Sequence, residues 1–132
     1  MVINATREGP TMKFTLYGEP TGCGKNNVKV TRFGKRVAPM RFIRWQNACL
    51  FQMRDQVRRR MPWTVPMFLS VQYWPKTNRR IDATAILDGV FHVLETAKLI
   101  EDDRQISILY YKKQDVDSVQ PRLEIQLEPA KY

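Results

Sequence analysis

The alternation of apolar and polar positions divides the chain into short extended segments and two helical ones. Residues 13–17 place Phe14 and Leu16 on one side, which predicts a first strand. Residues 28–37, with Phe33-Gly34-Lys35 in the middle, predict a hairpin or an extended basic loop. Over residues 40–61 the period changes: Phe42, Trp45, Cys49, Met53 and Val57 recur at three or four, so one face of a helix is apolar and Pro62 ends it. Residues 65–74 alternate again, with apolar residues on both faces, as a central strand would have. A second helix over residues 85–98 carries the stripe Leu87, Val90, Phe91, Leu94 and Ala97, while Asp88, His92 and Glu95 line another side at one-turn spacing. Residues 106–112 and 122–128 alternate, and the polar stretch 114–121 between them reads as the turn of a terminal hairpin.

This order predicts an α/β (α+β) layer structure, with a mixed β-sheet and two main helices. At 132 residues the chain is long enough for one core, with residues 1–11 as a loose leader and residues 12–132 as a single domain. The glycine-rich segment Gly18-Glu19-Pro20-Thr21-Gly22-Cys23-Gly24-Lys25 evokes a phosphate-binding loop. It lacks the first glycine of that motif, where Glu19 stands, and the hydroxyl after the lysine, where Asn26 stands. Extended chain rather than a helix is expected next, so a connector is the better reading.

Charge changes the picture. Twenty-two Lys and Arg against thirteen Asp and Glu leave a formal net charge of +9, which points to an anionic partner and first to nucleic acid. Between residues 25 and 60 there are eleven basic residues and one acid, Asp55. Lys25, Lys29, Arg32, Lys35 and Arg36 form an arm suited to neutralising phosphates, and Lys76, Arg79 and Arg80 add a second basic group. Phe33 could stack on a base, whereas the periodicity of Phe42 and Trp45 assigns them to the core. Cys23 and Cys49 are isolated thiols without a secretory signal, and no apolar run approaches a membrane span, so a cytoplasmic protein is expected.

Against this basic background, residues 79–106 hold six of the thirteen acids: Asp82, Asp88, Glu95, Glu101, Asp102 and Asp103. Like charges so concentrated call for a cation or a proton-transfer role. Asp82 follows one strand and Asp103 precedes the next. If those strands pair across the second helix, both carboxylates are expected at the same end of the sheet, where Mg²⁺ could bind them and take substrate phosphates as further ligands.

The same stretch resembles the RusA family of phage and prophage Holliday junction resolvases. Arg79-Arg80-Ile81-Asp82 is similar to the family's entry motif, Phe91 and Leu94 to its helix, and Glu101-Asp102-Asp103-Arg104-Gln105-Ile106 to its acidic exit. The resemblance implies a homodimeric, Mg²⁺-dependent endonuclease (Mn²⁺ possible) acting on branched DNA such as a four-way junction. It implies metal-binding catalytic roles for Asp82 and Asp103, with Asp102 assisting. Departures are concentrated in the helix: Thr84 stands at the second motif aspartate, Ala85 at the asparagine, Asp88 at the lysine and His92 at the later aspartate. Thr84 and Asp88 share a helix face, so Asp88 could supply the missing catalytic and metal-binding carboxylate while Thr84 caps the helix. The alternative is a degenerate site that binds structured nucleic acid without cutting it.

Overall fold

A computed structural model describes residues 11–21, 29–30, 32, 36–37, 40–57 and 61–130. The leader up to residue 10 and the second half of the glycine-rich connector, residues 22–25, lie outside the described residues. The elements run β1 (Met12–Tyr17), β2 (Lys29–Val30), β3 (Arg36–Val37), α1 (Met40–Gln56), β4 (Met67–Trp74), α2 (Ala83–Thr96), a 3-10 turn (Asp103–Gln105), β5 (Ile106–Lys113) and β6 (Arg122–Pro129). The mixed α+β class expected from the sequence is the one found. β2 and β3 pair antiparallel as a small hairpin, with Lys29 opposite Val37 and Val30 opposite Arg36.

The main sheet has the order β1-β6-β4-β5. β6 is antiparallel to both β1 and β4, and β5 runs parallel to β4 with α2 as the crossover. The expected terminal hairpin of residues 106–128 is therefore corrected. The segment between β5 and β6 passes over the end of β4, where the Gln114 amide donates to Tyr73 O (2.7 Å) and the Asp117 amide to Pro75 O (2.8 Å). Arg122 Nη1 donates to Asp117 Oδ2 at 2.8 Å, and its guanidinium lies 4.3 Å from the Trp74 ring centre, which fixes where β6 enters the sheet.

Both helices pack on one face of the sheet. Met12, Phe14 and Leu16 of β1, Met67, Leu69, Val71 and Tyr73 of β4, and Leu123, Ile125 and Leu127 of β6 are buried beneath them. From α1 the core takes Phe42, Trp45, Cys49 and Met53, as the stripe predicted, though the helix closes at Gln56 rather than residue 61. From α2 it takes Ile86, Gly89, Val90, Val93 and Leu94, while Leu87, Phe91 and Ala97 are half-buried. The buried face of α2 is thus rotated from the one expected, toward its contact with α1. Gly89 is where the two meet: a Cβ there would stand 2.9 Å from Thr21 O and 3.0 Å from the Trp45 ring, so only glycine fits without displacement.

Two glutamines of α1 close the outer edge of β1. Gln56 accepts from the Thr15 amide (2.9 Å) and donates to Thr15 O (2.8 Å), and Gln52 makes the equivalent pair with Tyr17 (2.7 and 3.1 Å). Side-chain amides one helical turn apart thus stand in for the missing strand.

Candidate metal site at the end of the second helix

Parallel pairing of β4 and β5 decides where the acidic residues go. In a strand-helix-strand crossover the exit of the first strand and the entry of the second lie at opposite ends of the sheet. Asp82 is the N-cap of α2 and Asp103 opens the 3-10 turn beyond its C-terminus, with fourteen helical residues between them. At about 1.5 Å per residue that is a separation of about 20 Å along the axis. The expectation that both carboxylates meet at one end is corrected: within one chain they do not form a joint site.

The structure brings a different trio together. Glu95, Asp102 and Asp103 each offer a carboxylate oxygen, all within 4.8 Å of one another, a grouping that can hold a metal ion. Glu95 was legible only as part of the helix side with Asp88 and His92. What the sequence does not reveal is the tight reversal that folds Asp102 and Asp103 back beside it.

That reversal begins with a Schellman cap. Lys98 takes a left-handed conformation (φ 61°), its amide donates to Glu95 O (3.0 Å), and the Leu99 amide donates to Leu94 O (3.0 Å). Leu99 and Ile100 are then buried, and the Trp63 amide donates to Leu99 O at 2.9 Å, anchoring the turn to the segment before β4. The Asp103 amide donates to Glu95 Oε2 at 2.7 Å.

Gln105 fastens the other side. Its Oε1 accepts from the amides of Glu101 (2.7 Å) and Asp102 (3.1 Å), while its Nε2 donates to Trp63 O (2.8 Å) and Val65 O (3.0 Å). The glutamine of the acidic motif thus sets the position of the carboxylates. Asp102 accepts from the Arg104 amide at 2.8 Å and from its guanidinium at 3.2 and 3.1 Å. The guanidinium bonds, and then the amide bond, hold the Asp102 carboxyl down at about 2, well below the usual carboxylate range.

Among the predicted site residues, Asp82 is exposed, and its side chain makes no capping hydrogen bond. Thr84 does not cap α2, because the helix already begins at Ala83 and Asp82 is its N-cap. Asp88 is half-buried on the middle of the helix, seven residues from Glu95, and is outside the close trio. His92 packs its ring edge against Phe42, with centroids 5.5 Å apart. Lys76, Arg79 and Arg80 are exposed in the loop leading to Asp82. Glu19 pins the start of that loop, accepting from the Tyr73 hydroxyl (2.6 Å) and the Lys76 amide (3.3 Å). Burial and then the Glu19 hydrogen bond push the Tyr73 phenol up in pKa, so it remains a proton donor. Lys29 and Arg36 lie on the paired β2 and β3, Arg32 lies exposed in the turn between them, and Lys25 and Lys35 lie outside the described residues.

No family model matches this chain, and no curated protein matches it. No helix among the described residues is long and apolar enough to cross a membrane.

Proposed function

We propose that the protein is a divalent-metal-dependent endonuclease acting on branched DNA. The observation that carries this reading is the convergence of Glu95, Asp102 and Asp103 within 4.8 Å in a chain of net charge +9. Oxygen donors of this kind suit a hard cation such as Mg²⁺, with Mn²⁺ as a substitute. An ion bound there would polarise a phosphodiester and lower the pKa of a bound water. Asp103 is the most available ligand, since one Glu95 oxygen is engaged by a backbone amide and Asp102 by Arg104. Arg104, exposed beside the trio, is suited to a flanking phosphate. The basic hairpin with Lys29, Arg32 and Arg36, and the loop with Lys76, Arg79 and Arg80, would hold the DNA backbone. Resemblance to RusA resolvases at Asp102-Asp103-Arg104-Gln105-Ile106 supports both the reaction and the four-way junction as substrate.

A second reading is binding of branched DNA without hydrolysis. It is favoured by the engagement of Asp102 by Arg104 and by the distance of Asp82 from Asp103. Incubation of the purified protein with a synthetic four-way junction, with and without Mg²⁺, separates the two. Metal-dependent nicking supports the first; salt-sensitive binding with no product in Mg²⁺ or Mn²⁺ supports the second.

A further inference from the structure

The helix α1 carries two faces of different character. Phe42, Trp45, Cys49 and Met53 are buried on the side that packs against β1 and α2. At about 3.6 residues per turn, Met40, Asn47 and Phe51 form a line on the opposite side, with Ile43 and Arg54 on one flank and Arg41 and Arg44 on the other. All seven are exposed, and the apolar ones stand well out of the core: Met40 at 59%, Ile43 at 37% and Phe51 at 63%. The Arg54 guanidinium lies 4.7 Å from the Phe51 ring centre, so a cation and an aromatic ring are presented together.

We propose that this outer face of α1 docks an acidic amphipathic helix of another protein. Charge sets the sign of the partner, because α1 holds Arg41, Arg44 and Arg54 against Asp55 as its one acid. Residue type sets its class. α1 contains no lysine and no glutamate, and its outer face combines methionine, phenylalanine and arginine, residues in which protein interfaces are enriched. A surface that tracks phosphates gains nothing from exposed methionine and isoleucine side chains, so a nucleic-acid backbone is the poorer fit. Shape sets the partner's form: side chains one turn apart make ridges between which those of a second helix can interlock, its leucines on Met40, Ile43 and Phe51 and its glutamates beside Arg44 and Arg54. A second copy of α1 has the wrong sign, since it would bring arginines against arginines. The face shares no residue with the trio of Glu95, Asp102 and Asp103, and its role does not depend on the catalytic reading.

The test is fluorescence anisotropy of the full chain, without nucleic acid or metal, against a labelled peptide of three heptads with leucine at a and d and glutamate at e and g, which keeps the peptide from pairing with itself. Saturable binding that weakens with salt is expected. Phe51→Ser, and separately Arg44→Glu/Arg54→Glu, are expected to weaken it by about tenfold or more. A peptide with lysine at e and g is expected to reverse the order, binding the double variant better than wild type. The substituted side chains are exposed, and circular dichroism checks that the fold persists. No saturable binding by wild type, or binding unaffected by both sets of changes, would overturn the proposal. So would a failure of the acidic peptide to bind together with loss of four-way-junction affinity in both variants, which assigns the face to nucleic acid, or self-association of wild type abolished by Phe51→Ser, which assigns it to a second copy.

Discussion

The backbone amide of Asp103 donates to Glu95 Oε2 across 2.7 Å, tying the last turn of α2 to the turn that launches β5. One Glu95 oxygen is thereby a structural acceptor, and under the proposed function the other would serve as a metal ligand. Replacing Glu95 with Ala is expected to cost about 1–2 kcal/mol, the range for a hydrogen bond to a charged group at a partly exposed position. Glu95→Gln keeps the acceptor and is expected to recover most of that stability while still weakening Mg²⁺ affinity. Urea unfolding and calorimetric Mg²⁺ titration of the three proteins separate the two roles.

Gln105 makes four hydrogen bonds from one side chain, joining Glu101 and Asp102 to Trp63 and Val65. Gln105→Ala is expected to destabilise the protein by about 2 kcal/mol, because the part-buried Asp102 amide and Trp63 carbonyl lose their partner. Faster amide exchange at Glu101 and Asp102 than elsewhere in the chain is the accompanying local signature.

Lys98 occupies a left-handed position that glycine adopts without Cβ strain. Lys98→Gly is expected to raise stability by about 1 kcal/mol, read as an increase in the urea midpoint at unchanged slope. A loss of stability would mean that the lysine side chain contributes more than its backbone costs.

Asp102 remains ionised to about pH 2 because of Arg104. Its folded-state pKa lies below the ordinary carboxylate value, so the stabilising contribution is fully present above that value and is lost as pH falls from it toward 2. Carboxyl-carbon NMR titration is expected to show the Asp102 midpoint well below the ordinary carboxylate range. In Arg104→Ala its midpoint should rise toward the ordinary carboxylate range but stay below it, because the backbone amide of residue 104 still donates to the carboxylate.

How much of this could be read from the chain differs by element. The stripe Phe42, Trp45, Cys49 and Met53 specified the buried face of α1, and the large apolar residues Met40, Ile43 and Phe51 lie off it and are exposed. In α2, Ile86 and Val93 flank Leu87 and Leu94, giving two overlapping stripes; docking against Trp45 at Gly89 selects between them. The alternation in β5 and β6 revealed both strands but not their partners. Insertion of β6 between β1 and β4 depends on long-range packing and on the Gln114 and Asp117 bonds over β4. Asp102 and Asp103 were legible as site residues. Their partner Glu95 was not, because proximity depends on the left-handed turn at Lys98, a position where the sequence offers no glycine to signal it.

The most direct measurement of the central claim is cleavage of a labelled four-way junction in Mg²⁺ by wild type, Asp103→Asn and Glu95→Gln, with junction binding recorded in parallel. Wild type is expected to cut in a metal-dependent way, both variants to lose about a hundredfold from reduced metal affinity, and all three to retain binding. Unchanged cutting by Asp103→Asn and Glu95→Gln would contradict that claim.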